Sequence, residues 1–140
     1  MTTIKRWLLA ACSAASACIP AIPAIAADGD AAGGVWRNRS NSVHIEAHHC
    51  GQSMCGKVIW ASDKAIADAR RGGTKNLIGL DIFSDFRKDR KGIWHGKVFV
   101  PDMNRTFSGT MILVDANTLK GTGCALGGIV CKTQILTRIS

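Results

Sequence analysis

From residue 34 onward, apolar and polar positions alternate along most of the chain instead of recurring every three or four. Val58 and Trp60 fall on one side of a strand, with Lys57 opposite. Ile78, Leu80, Ile82 and Phe86 fall together, with Asp81 and Asp85 opposite. Trp94, Val98 and Val100 alternate with His95 and Lys97, and Phe107, Met111 and Leu113 alternate with Thr106, Ser108 and Thr110. A period of two is the mark of a strand buried on one face, so the apolar sets are assigned inward. The pattern predicts eight strands, over residues 34–40, 42–50, 54–61, 77–86, 92–100, 105–114, 118–125 and 129–139.

Between these runs lie turn residues: Arg39-Ser40-Asn41, Gly51-Gln52, Asp89-Arg90-Lys91-Gly92, Pro101-Asp102-Met103-Asn104, Asp115-Ala116-Asn117 and Gly127-Gly128. Such short connections pair successive strands antiparallel. Eight strands joined this way remove their free edges by closing into an up-and-down barrel. One stretch reads differently. Residues 63–71 suit about two helical turns, ended by Gly72-Gly73.

The first segment changes the picture of where the chain works. Lys5-Arg6 precede an apolar stretch at residues 7–19, and Ala24-Ile25-Ala26 supplies small residues for a peptidase. This arrangement predicts a signal peptide over residues 1–26, leaving residues 27–140 as one barrel domain in the periplasm. Two other readings exist: an anchor helix, disfavoured by its length and its prolines, and lipidation at Cys12 or Cys18, each of which lacks part of the lipidation pattern. An exported chain would be peripheral to the membrane at most.

The chain has 18 Lys and Arg against 10 Asp and Glu, and loss of Lys5 and Arg6 would still leave the domain at about +6. That balance attracts anionic partners such as an envelope component. No nucleic-acid-binding motif accompanies the charge, so nucleic acid is not an expected partner.

Removal of residues 1–26 would leave Cys50, Cys55, Cys124 and Cys131. An even count in a small exported domain reads as disulfides. Four cysteines allow three connectivities. Two local pairs, Cys50–Cys55 and Cys124–Cys131, are the most economical, since each gap suits a hairpin. The spacing is too wide for a usual zinc–thiolate site, and no C-x-x-C is present for thiol exchange.

Gly34-Val35-Trp36 opens the first strand and Arg138 lies near the end of the last. In a closed barrel these strands are neighbours, and the Arg138 guanidinium would lie over the Trp36 indole. A Gly-x-Trp start with a late Arg is similar to the closure signature of lipocalin-like barrels. Other blocks extend the likeness: Val43-His44-Ile45-Glu46, the Cys50–Trp60 segment Cys-Gly-Gln-Ser-Met-Cys-Gly-Lys-Val-Ile-Trp, Leu77-Ile78-Gly79-Leu80-Asp81-Ile82-Phe83, Gly92-Ile93-Trp94-His95-Gly96 and Thr106-Phe107-Ser108-Gly109. They continue with Gly121-Thr122-Gly123-Cys124 through Cys131-Lys132-Thr133-Gln134 to Thr137-Arg138-Ile139. Across residues 33–139 the chain resembles the exported bacterial family catalogued as domain of unknown function 2147. The resemblance implies a small periplasmic, lipocalin-like barrel and brings no established activity. The chain departs from the family pattern at Leu136, at Val98-Phe99-Val100 and at Phe107, where aromatic or tyrosine residues are common, and in its own loop at residues 61–76. Any tyrosine contact to a ligand in relatives does not carry over.

Val58, Trp60, Phe86, Trp94, Val98 and Met111 are the residues expected to line an interior cavity. An eight-stranded barrel is just wide enough to be filled by its side chains or to hold one small ligand. His44, Glu46 and His48 alternate on one strand face, which is the spacing for a metal site, although the same face reads more simply as solvated. No nucleophile elbow, P-loop or dinucleotide fingerprint occurs. The sequence therefore predicts a non-enzymatic barrel without a cofactor, binding a small apolar or amphipathic ligand. The alternatives are a filled interaction barrel docking on an anionic envelope component and, behind it, a metal-dependent enzyme. Oligomeric state is not encoded in any recognisable pattern.

Overall fold

A computed structural model describes residues 31–140, so the expected signal peptide and cleavage site lie outside the described residues. The strands are β1 (Gly34–Asn38), β2 (Val43–Cys50), β3 (Ser53–Ala61), β4 (Asp81–Lys88), β5 (Trp94–Val100), β6 (Arg105–Asp115), β7 (Thr118–Ala125) and β8 (Val130–Arg138). Each pairs antiparallel with the next, and β8 pairs back to β1, closing the barrel. The predicted up-and-down barrel is the fold the chain adopts. One helix, α1 (Asp63–Arg71), crosses between β3 and β4.

Helix α1 forms where its ends are signalled. The Ser62 hydroxyl accepts from the Ala65 amide at 3.2 Å, an N-cap that satisfies a donor the helix leaves unpaired. Asp63 sits in the first turn and Arg70 and Arg71 in the last, which complements the helix dipole. Ala69 is fully buried, and together with Val58, Ala61 and Leu77 it forms a small apolar cluster under α1. The helix therefore covers one end of the barrel, called here the helix end. Gly34 enters at the opposite, entry end.

Two predicted features are corrected by turns and bulges. The fourth strand starts at Asp81 and not at residue 77. Gly79 adopts a φ of +87°, and the Leu80 amide bonds back to the Leu77 carbonyl, so Leu77-Ile78-Gly79-Leu80 is a tight turn. Ile78 consequently points to solvent, 51% exposed, instead of inward. Within β4, Asp85 has a φ of +57° at a register shift, and Phe83 and Phe86 both turn inward, their rings 5.6 Å apart edge to face. A strict period of two, with Ile82 and Phe86 inward, would put Phe83 on the outside.

The second correction concerns Trp60. Val58 pairs with Ile45 and Trp60 with His44, leaving Ile59 as an extra residue in β3. This bulge breaks the period of two. Val58 stays inside and Trp60 turns out, 43% exposed, to lie against His44 with ring centroids 4.5 Å apart.

The main core runs from the entry end to mid-barrel. It joins Trp36, Ile45, Ala47, Met54, Phe83, Phe86, Trp94, Met111, Leu119 and Leu136, with Val98 packed against it. Burying each large side chain is worth roughly 1.5–3 kcal/mol.

Candidate functional site

Closure at the entry end is built by the first and last strands. Trp36 is 0% exposed and donates its indole N–H to the Ala32 carbonyl at 3.0 Å. The Arg138 guanidinium carbon lies 4.1 Å from the Trp36 ring centroid. Its nitrogens donate to the carbonyls of Ala31, Gly33 and Ala116. Arg138 thus ties three chain segments to the face of one indole, and its charge is spent on structure.

The seam does not close along its whole length. β1 stops at Asn38 because the Asn38 side chain accepts from the amides of Ser42 and Val43, at 2.8 and 3.1 Å, and turns the chain back. β1 therefore reaches β8 only through Trp36–Arg138, Arg37–Thr137 and Asn38–Leu136. The six residues from Val130 to Ile135 are paired with β7 alone among the described residues. Above the buried Leu119–Leu136 pair, the β7–β8 hairpin stands away from the core.

The inner face of that hairpin is the candidate site. No register shift interrupts the pairing, so Gln134, Lys132 and Val130 share the face of buried Leu136, and Gly121, Gly123 and Ala125 share that of buried Leu119. Val130, Lys132 and Gln134 are nonetheless exposed, Val130 to 50%. Lys132 and Gln134 carry no side-chain hydrogen bond or ion pair to another described residue. Gly96, Gly109, Gly123 and Lys132 stand opposite one another in turn across β5, β6, β7 and β8. At Gly96 and Gly109 the missing side chains make room for Phe86 and Val98. At Gly123 a Cβ would meet nothing within 4 Å. The slot that Phe86 fills in mid-barrel thus continues, open, to Lys132. Outside it, the Cys124–Cys131 disulfide joins directly paired residues and staples the hairpin near its tip.

The residues expected to line a cavity separate into groups. Phe86, Trp94 and Met111 pack on one another in the core with Val98 alongside, and Val58 lies in the cluster under α1. Phe86, Val98 and Met111 border the glycine-lined slot, whereas Trp60 lies outside the barrel. Sequence reasoning passed over Gly121, Gly123, Lys132 and Gln134. Their signal was the one strand pair rich in glycine and poor in large inward side chains.

His44, Glu46 and His48 do not form a joint site. The His44 ring is engaged by Trp60 and by Asn41 Oδ1 at 2.8 Å, and His48 Nδ1 lies 3.2 Å from the Glu46 carbonyl. No group of three His, Cys, Asp or Glu side chains gathers to hold a metal among the described residues. The second disulfide, Cys50–Cys55, spans the β2–β3 turn with its Cα atoms 5.8 Å apart.

Comparison with known proteins agrees with this architecture. The family described as an uncharacterized protein conserved in bacteria, DUF2147, matches residues 34–138. Among solved structures the chain is similar to one described as protein HP1028 from the human pathogen Helicobacter pylori, which belongs to the lipocalin family. The TM-score is 0.60 at 17% identity, covering 77% of this chain and 82% of that chain. No curated protein matches the chain.

Proposed function

The chain belongs to the DUF2147 family and has a lipocalin-like fold, and we propose that it is a non-enzymatic, exported barrel that holds a small amphipathic ligand along the open side of its seam. One observation carries the reading: an inward-facing stretch of sheet, Gly121 to Ala125 against Val130 to Gln134, is left uncovered beside a packed core. A flat, glycine-lined floor next to Phe86 and Met111 suits an apolar ring or chain, and Lys132 and Gln134 suit its polar end. The functional groups on the face are one amine and one amide, with no described residue bonded to either as a base. That is equipment for binding. Two disulfides support an oxidising compartment, and the periplasm is the compartment proposed.

Native mass spectrometry of protein taken from its own exported fraction tests the reading directly. A co-purifying small molecule is expected. Replacing Gly123 with Phe should fill the slot and abolish that adduct while the barrel stays folded. For any candidate ligand, the melting temperature should climb with concentration, by about 2.7 kcal/mol of stabilisation at a hundredfold excess over Kd. Absence of any adduct, together with melting that no amphiphile shifts, would end the proposal.

A further inference from the structure

The β4–β5 turn stands at the entry end of the barrel, away from the seam's open side. Arg87, Lys88, Arg90 and Lys91 fall within five positions, and no other stretch of that length in the chain has more than two basic residues. The single acid among them, Asp89, is already committed. Its Oδ1 accepts from the amides of Lys91 and Ile93 at 2.8 and 3.0 Å, and its Oδ2 bonds His95 Nε2 at 2.9 Å. The carboxylate shapes the turn and offsets one of the four cations, which leaves residues 87–91 at a net +3. Arg87 donates to the Ser53 hydroxyl, and the Lys88 amine lies 6.0 Å from the Trp94 ring centroid. The Arg90 and Lys91 side chains have no bonded partner among the described residues. All four basic residues are exposed. Basic groups elsewhere are partly spent: Lys64 and Arg71 pair with Asp68, Lys97 with Asp85, and Arg138 with backbone carbonyls.

We infer that this turn docks the barrel on an anionic lipid bilayer, with Lys88, Arg90 and Lys91 against the lipid phosphates. The charge complementarity is local and the turn is held in shape before contact, so little ordering is lost on binding. Trp94, the large aromatic ring at the turn, is buried and the His95 ring is held by Asp89, so little is offered for base stacking, and a lipid phosphate surface fits better than a nucleic acid. The net positive charge of the chain adds long-range attraction to the same surface. Docking by the entry end would leave the seam facing away from the bilayer, open to its ligand. The turn would dock in this way whatever the seam binds.

Co-sedimentation with vesicles of phosphatidylcholine, with and without an equal part of phosphatidylglycerol, tests it. Binding is expected only with phosphatidylglycerol and should weaken steeply with added salt. Each neutralised cation should cost about fivefold in partitioning, so Lys88→Gln, Arg90→Gln and Lys91→Gln together should cost about a hundredfold. Arg70→Gln, Arg71→Gln and Lys75→Gln remove the same charge at the helix end and should cost far less. Equal losses from the two triple variants would overturn the inference, because net charge alone would then be acting. Salt-independent binding, equal binding to pure phosphatidylcholine, or preference for a DNA duplex would overturn it as well.

Discussion

A single methyl group separates two kinds of glycine in this barrel. At Gly96 a Cβ would lie 2.5 Å from Phe86 Cδ2 and 2.7 Å from the Ser84 carbonyl oxygen, both held by the core and the sheet. At Gly123, two strands further along the same row, it would touch nothing. Gly96→Ala should therefore lose about 1–3 kcal/mol of stability, the usual toll of overpacking. Gly123→Ala should be neutral, or gain by up to about 1 kcal/mol by restricting the unfolded chain. Urea denaturation of both variants checks the pair. A loss at Gly123 as large as that at Gly96 would mean the slot is closed. Trp36 is the opposite extreme, a fully buried ring under a guanidinium. Trp36→Ala should cost about 3–5 kcal/mol, and the same denaturation series reads it.

At the scale of elements, the two hairpins that matter are held differently. The β4–β5 turn depends on the charge of Asp89. Its bond to His95, and then those from the Ile93 and Lys91 amides, hold the carboxyl below its usual range. A carboxyl whose value is depressed on folding stabilises the native state above the unfolded value, near 4, and loses that contribution as pH falls through the folded value. The turn should stay ordered at pH 5 and loosen below about pH 4, within reach of amide exchange at Ile93 and Lys91. Asp89→Asn should remove that dependence, and a turn equally protected at pH 3 would contradict the assignment.

The β7–β8 hairpin depends on covalent closure, because Val130–Ile135 lack a second strand neighbour among the described residues. A loop as short as Cys124–Cys131 adds about 2.5 kcal/mol on a chain-entropy account. Replacing both cysteines with Ser should speed amide exchange in the distal hairpin more than in β2 or β3. Uniform acceleration across the barrel would show that the staple acts on global stability instead.

At the scale of the whole molecule, a packed half and an open half share one sheet. The short β1 is what divides them, since it completes the barrel at Trp36 and Arg138 but ends before the upper part of β8. Much of this was legible in advance. Eight alternating runs with hairpin-length connectors, Gly34-Val35-Trp36 and a late Arg138 indicated a closed antiparallel barrel, and the helix over 63–71 was marked by its stop at Gly72-Gly73. The cysteine gaps indicated the two local bridges now seen. The open site was not legible. Glycine in a strand can mean a tightly filled contact, as at Gly96, or vacant space, as at Gly123, and the difference lies in residues from other strands. Trp60 misled for a related reason: one bulged residue, Ile59, reverses every side chain that follows it, and pairing partners decide where a bulge falls.

Sequence by itself determined the class of fold, the number of strands and the closing pair, and favoured the two local cysteine pairs, because each follows from local period, turn chemistry or spacing. Tertiary structure alone decided that Phe83 turns in and Trp60 out, that Phe86 fills the slot over Gly96, and that the slot opens at Gly123 beside Lys132. Those outcomes depend on register and on how far β1 extends, and both are settled only when distant strands meet.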